Sequence, residues 1–251
     1  MSISLAGKHC AVVGATGTIG FSIASAFASR GAVVTVLGRS AETAQPKLEP
    51  LLKPYVPDKN QPKDQTPFQH RFIRFDVMNH GSIKGTFSST GPVDILINCA
   101  GIGQSTILLR TPDEEINNIV NTNLTGTMLA CKYAKMRQNG CIINVSSLIA
   151  HKGVVGASVY AASKAGVIGF TRSLCREFTP RQIRVNALLP GWIASPMWDQ
   201  LKEAKKEEVM SNTPSRRVGK PDEVADACIF LASNEFANNC VLNLDGGLSA
   251  S

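Results

Sequence analysis

The chain has 251 residues, 43% hydrophobic and 18% charged, which excludes a disordered or fibrous protein and fits one globular domain with a full core. Lys and Arg outnumber Asp and Glu 26 to 19, for a net charge of +7; with no dense basic run and aromatics at only 6%, that excess suits solubility or an acidic partner and gives no support for nucleic-acid binding. No apolar run reaches the ~20 residues of a membrane-spanning helix, and the seven cysteines form no C-x-x-C and meet no His pair at metal spacing, so neither a membrane protein nor a metal site is expected.

Apolar, β-branched runs at 10–14, 32–37, 72–75, 93–98, 141–146, 183–188 and 241–244 alternate with amphipathic stretches of helix length. Strand and helix in alternation mean βαβ units and a parallel sheet. Because the runs are almost continuously apolar, both sheet faces should be covered. The expected fold is therefore α/β: one doubly wound, Rossmann-type domain over 1–251, with a seven-stranded parallel sheet and helices on both faces.

The first run passes into Gly14-Ala15-Thr16-Gly17-Thr18-Ile19-Gly20 and then an alanine-rich helix. Glycines let a backbone turn sharply against a pyrophosphate, and the free amides of a helix start hold its charge. The second run ends in Gly38-Arg39-Ser40, where an NAD-binding fold would place a carboxylate for the ribose hydroxyls. A guanidinium and a hydroxyl instead suit the 2′-phosphate of NADP. Six of the thirteen prolines (46, 50, 54, 57, 62 and 67) fall at 40–70, so a surface insertion with at most one short helix is expected there.

The fifth run ends at Ser147, and Tyr160 and Lys164 follow four residues apart, on one face of a helix. A tyrosine ionises near pH 10, so proton transfer near neutrality calls for an adjacent positive charge, which Lys164 is placed to supply. Ser147 would hydrogen-bond a substrate oxygen acquiring alkoxide character as hydride arrives. The irregular stretch 190–218, with Trp192, Met197 and Trp198, follows the sixth strand and suits a substrate lid at the carboxyl ends of the sheet. His151, four residues past Ser147, falls in the expected substrate loop.

These motifs together resemble the short-chain dehydrogenase/reductase family, from Lys8 to Gly247. The resemblance implies a tetrad of Asn123, Ser147, Tyr160 and Lys164: Tyr160 as general acid, Ser147 orienting the carbonyl, Lys164 lowering the tyrosine pKa and holding the nicotinamide ribose, and Asn123 linking Lys164 to solvent through a water. It also implies further cofactor contacts: Ile19 in the turn, Asp76 and Val77 at the adenine, Asn98, Ala100 and Gly101 near the ribose, and Pro190, Gly191, Ile193 and Ser195 at the carboxamide. Two departures stand out. The glycines fall at 14, 17 and 20 rather than 14, 18 and 20, and 234–240 is short and lacks the usual Thr-Gly, which bears on subunit packing.

Within the family the chain looks most like β-ketoacyl-acyl-carrier-protein reductases and related mitochondrial carbonyl reductases. That likeness implies NADPH-dependent reduction of a 3-oxoacyl thioester, with an acyl carrier protein docking on Arg137 and Arg181 beside the cleft. An NADP-dependent ketone reductase or alcohol dehydrogenase of specialised metabolism and a non-catalytic NADP-binding subunit are the alternatives. Helices at 113–136 and 158–178 resemble those that pair subunits, which implies a homodimer or homotetramer. The odd cysteine count and the lack of a charged-then-apolar leader lead us to expect a reducing, cytoplasmic setting, with the mitochondrial matrix as the alternative.

Overall fold

Parallel strands buried on both faces need crossover helices, and the computed structural model of the chain has that architecture. It describes residues 5–57, 66–104 and 106–250; Pro62 and the side chain of Met197 lie outside the described parts. The strands are β1 (His9–Val13), β2 (Val33–Gly38), β3 (Arg71–Arg74), β4 (Val93–Asn98), β5 (Met136–Val145), β6 (Arg184–Pro190) and β7 (Val241–Leu244). They form one sheet in the order β3-β2-β1-β4-β5-β6-β7, every neighbouring pair parallel.

Successive residues of one strand feed different cores, as the two-residue repeat of a strand requires. Cys10, Val12, Val34, Val36, Ile95 and Ile97 join one core with Ile23 and Phe27 of α1 (Thr18–Ser29) and Val224 and Ile229 of α9 (Pro221–Ser233). Ala11, Val13, Leu37, Leu96 and Ile142 face the second. That core is closed by Ile83 and Phe87 of α3 (His80–Thr90), Ala130 of α5 (Gly126–Tyr133) and Leu174 of α6 (Ser158–Glu177). No helix among the described residues is long and apolar enough to cross a membrane.

The proline-rich stretch keeps one short helix, α2 (Ala41–Leu48), with Pro46 inside it, followed by a 3-10 turn at Glu49–Leu51. The far ends of this excursion are tied down by His70, whose Nδ1 accepts from the Val34 amide (3.1 Å) while Nε2 pairs with the Lys53 carbonyl (2.8 Å).

Two boundaries differ from the sequence expectation. The helix expected over 113–136 ends at Tyr133, and β5 begins at Met136, five residues before its apolar run. Polar Arg137, Gln138 and Asn139 enter the strand because Asn139 takes a left-handed turn (φ 60) and the ladder to β4 shifts register between Val93 and Ile95. At the other departure, the segment before β7 is closed without a Thr-Gly. Asn239 adopts φ 58 and Asn238 accepts from the Val185 amide. The Arg184 guanidinium meets the carbonyls of Leu231, Ala232 and Ala237, capping the end of α9.

His9 is fully buried at the start of β1. Its Nδ1 faces the Pro92 carbonyl (2.7 Å) and so carries the proton, leaving Nε2 to accept from Thr35 Oγ1 (2.8 Å). Burial pushes its pKa down from 6.5 to about 4. The unfolded chain therefore takes up a proton near pH 6.5 that the folded chain refuses until about pH 4, so the contribution of His9 is complete above pH 6.5 and disappears as pH falls through that window. We expect chemical denaturation to lose about 3 kcal/mol more between pH 7 and pH 4 in the native chain than in His9→Gln. Parallel pH profiles of the two proteins would refute this assignment.

Candidate active site

The strand order reverses direction between β1 and β4, and at such a switch point the loops from adjacent strand ends diverge and leave a crevice. Gly14 closes β1 with φ +81, and a Cβ placed on it would sit 2.6 Å from the Ala100 nitrogen and 2.8 Å from its Cα. Gly17 is the N-cap of α1 with no side-chain bond, and no acidic residue occupies the first turn. Thr18 thus opens the helix rather than needing glycine's freedom, and the amides of that first turn are left to an anion.

Beyond this turn lies a cavity of about 470 Å³, lined at one end by Gly14, Gly17, Ala100 and Gly101 and at the other by Arg39, Ser40, Asp76 and Val77. Gly38 makes the approach of Thr16 to β2 feasible, because a Cβ there would meet Thr16 Oγ1 at 2.8 Å. Arg39 is exposed at the rim, and no carboxylate takes its place at the end of β2. The amide-lined anion end and the elongated set of lining residues up to Arg39 fit a nicotinamide dinucleotide.

Asn98 departs from its expected contact. Its side chain is buried and donates to Asn144 Oδ1 (2.8 Å) and Cys131 Sγ (3.2 Å), so it ties β4 to β5 within the core. Ile19 packs against the first core, and Thr18 faces an outer groove with Phe21, Ser22 and Asp222. Pro190 is buried, and Gly191 fits because a Cβ there would strike Asp245 at 2.8 Å. Ser195 donates to the Ile193 carbonyl (3.1 Å) and caps the short α7 (Pro196–Asp199), an engagement the expected carboxamide contact did not include. Trp192 and Trp198 pack edge to face with ring centres 5.9 Å apart, and His151 is exposed after the turn Leu148–Ala150.

The four tetrad residues converge. Ser147 sits two residues past β5, 8% exposed. The phenol of Tyr160, on the first turn of α6, lies within hydrogen-bonding reach of it. Ser146 Oγ donates to the Lys164 carbonyl (2.7 Å) and Lys164 Nζ to the Val145 carbonyl (3.0 Å), docking α6 on the strand end. Asn123 is fully buried in a π-helical turn (Asn121–Thr125) after α4 (Asp113–Val120). Its amide is used completely within the protein: Oδ1 accepts from Ile102 N (2.9 Å), and Nδ2 donates to Ile102 O and Ser163 Oγ (3.0 Å each). Any solvent link through Asn123 therefore belongs to its main chain.

Electrostatics here differ from the sequence expectation. Burial raises the Tyr160 pKa, the Ser147 hydrogen bond offsets this only in part, and Cys99 adds to the rise. The net shift is upward even though the Lys164 ammonium, which bonds the Val145 carbonyl, lies 5.8 Å from the centre of the tyrosine ring. Burial also draws Lys164 down to about 8, against a smaller opposing influence of Cys99. At neutral pH Tyr160 is thus a protonated phenol beside a charged lysine, the state an acid catalyst needs.

Two arginines are not where the expectation set them. Arg137 pairs with Asp94 (2.8 Å) and Thr66 Oγ1 (2.9 Å), and Arg181 donates to the Met136 carbonyl, both at the amino-terminal edge of the sheet. They lie across the sheet from this chain's own cleft, because β5 runs its ten residues between Met136 and the tetrad end. Conversely, Cys99 lines the cavity and acts on Lys164, and Gln104 reaches the first turn of α6; neither was singled out. The signal for Gln104 was indirect: the residue before α6 is Ala157, which cannot cap a helix.

A family model described as Enoyl-(Acyl carrier protein) reductase matches residues 14–249. The chain is 37% identical over 248 residues to the mouse 3-oxoacyl-[acyl-carrier-protein] reductase, covering 96% of this chain and 98% of the relative. It is 36% identical over 249 residues to carbonyl reductase family member 4 of Xenopus laevis, with the same coverage. Among solved structures, one assigned as a short-chain alcohol dehydrogenase from Sinorhizobium meliloti 1021 superposes with a TM-score of 0.86 at 28% identity, over 99% of each chain.

The close crossing at the switch point makes Gly14 irreplaceable. Gly14→Ala should lower folding stability by more than about 2 kcal/mol and weaken dinucleotide binding, since both φ and space forbid the methyl. Gly85→Ala, on α3 with nothing within 4 Å of the added carbon, should be neutral or gain about 0.5–1 kcal/mol. Urea titration of the two variants checks both; equal effects would contradict the geometry.

Proposed function

The chain belongs to the short-chain dehydrogenase/reductase family, and we propose that it reduces the ketone of a 3-oxoacyl thioester to the secondary alcohol, with NADPH as the preferred cofactor. The observation that carries this reading is the Tyr160 phenol, within hydrogen-bonding reach of Ser147 and with the Lys164 ammonium 5.8 Å from its ring centre. When bound, the nicotinamide supplies the hydride. Ser147 orients the carbonyl oxygen by hydrogen bonding, and Tyr160 delivers its proton to that oxygen as it becomes an alkoxide.

Lys164 holds its charge below about pH 8 beneath the tyrosine ring, which stabilises the tyrosinate left behind. Arg39 and Ser40 would hold a 2′-phosphate, Asp76 and Val77 the adenine side, and the first-turn amides of α1 the pyrophosphate. The segment at 190–218, tied at its base where Ile193 pairs with Gly219, would serve as the lid over the substrate. The names of the relatives support a carrier-bound acyl chain, and the +7 charge suits an acidic carrier. The carrier's docking surface is left unassigned in this reading, since Arg137 and Arg181 do not face the cleft.

NADPH oxidation with a short β-ketoacyl thioester, with NADH as the control cofactor, tests the reaction; binding of NADPH without turnover would overturn it. Tyr160→Phe keeps the ring and removes the proton, so turnover should fall on the order of 100- to 10,000-fold with NADPH affinity retained. Arg39→Glu should raise the NADPH dissociation constant on the order of tenfold to a hundredfold and leave NADH nearly unchanged. Equal losses for both cofactors would show that Arg39 does not read the phosphate.

A further inference from the structure

The helix that carries Tyr160 and Lys164 begins without a cap of its own. Its N-cap position is Ala157, with no side-chain hydrogen bond, yet the first amides of a helix have no partner within it. A residue from the loop after β4 supplies one. Gln104 Oε1 accepts from Val159 N at 2.8 Å and from Tyr160 N at 3.3 Å. The other end of the same amide donates to the Thr106 carbonyl (2.8 Å) and Thr111 Oγ1 (3.2 Å). The orientation is forced, since main-chain amides only donate and a carbonyl only accepts.

The loop that holds Gln104 is itself anchored at the active site. Both main-chain groups of Ile102 bond the side chain of Asn123, and Thr111 Oγ1 closes the far end on the Ile107 carbonyl (3.1 Å). The catalytic helix is thus stitched to the segment beside the cofactor cavity, and the stitch lands on the amide of the tyrosine itself. An uncapped first turn frays, and fraying at Tyr160 would carry its phenol away from Ser147.

We propose that Gln104 is a positioning residue that caps α6 from outside the helix and holds Tyr160 in register with Ser147. This rests on the reading of Tyr160 as the proton donor, but the cap can be tested without turnover. Gln104→Met keeps the length and loses both ends of the amide. Gln104→Glu keeps the acceptor and places a negative charge at the helix start, close to a phenol that otherwise faces Lys164 and Cys99.

Amide hydrogen exchange over 158–162 should quicken on the order of tenfold or more in Gln104→Met and clearly less in Gln104→Glu, which keeps the acceptor but loses the bond to the Thr106 carbonyl. In ketone reduction, Gln104→Met should lower kcat on the order of 10- to 100-fold with NADPH affinity unchanged, and Gln104→Glu should recover part of that loss. The tyrosinate absorbance titration, taken as the difference from Tyr160→Phe, should move to higher pH in Gln104→Glu, because the added charge disfavours the anion. Unchanged exchange in Gln104→Met, or quickened exchange with full kcat, overturns the proposal. If the native chain reduces no ketone, the reaction assignment falls by itself, and exchange and titration still decide the cap. Should Gln104→Met fail to fold, Thr111→Val, which removes one of the amide's anchors, is read by the same two measurements, with a smaller quickening expected and none counting against the cap.

Discussion

The whole molecule turns on one close approach of backbone to backbone, where Gly14 at the end of β1 meets Ala100 past the end of β4. These are the two strands between which the sheet changes its direction of winding, so their following loops part and leave the cavity. A side chain at Gly14 would fill the gap with a methyl 2.6 Å from the Ala100 nitrogen. Because it is absent, α1 starts against the cavity and presents its uncapped amides there. Position 100 is likewise brought close enough to line the same space, with Gly101 beside it.

From that crossing the polar interior is assembled almost without waste. Asn98 reaches Asn144, and Asn144 in turn donates to Thr171 Oγ1 (3.0 Å), so a chain of buried amides joins β4, β5 and α6. Ser163, one residue before Lys164, receives Asn123 and donates to the Tyr160 carbonyl (2.7 Å). Lys164 is 4% exposed, and its ammonium bonds the Val145 carbonyl rather than a carboxylate. A buried ammonium of that kind costs stability, which its depressed pKa records. Such a cost is characteristic of groups retained for chemistry rather than for folding.

Much of the fold was legible because its signal is periodic and local. All seven strands were found near their places, since continuously apolar β-branched runs mark strands covered on both faces. The miss at the start of β5 has an equally local cause: Arg137, Gln138 and Asn139 are polar and enter the strand through a left-handed turn. Of the site, Ser147, Tyr160, Lys164 and Asn123 come together in the folded chain. The roles that depended on distance were read less well. Lys164 was expected to bring the phenol's pKa down, yet burial raises it overall, while Arg137 was expected at the cleft and instead pairs with Asp94.

The sequence by itself determined the strand order's ingredients, the glycine turn, the missing carboxylate after β2 and the residue types at positions 123, 147, 160 and 164, because each is written in neighbouring positions and in residue chemistry. Tertiary structure alone decided who touches whom across the sheet. It set the crossing of Gly14 and Ala100, the turning of Asn98 into the core, the nearness of Cys99 to Lys164, and the cap that Gln104 places on α6. These contacts join residues that are distant along the chain, and the free energy that selects them comes from burying apolar faces and satisfying the amides left over. No local pattern encodes that sum.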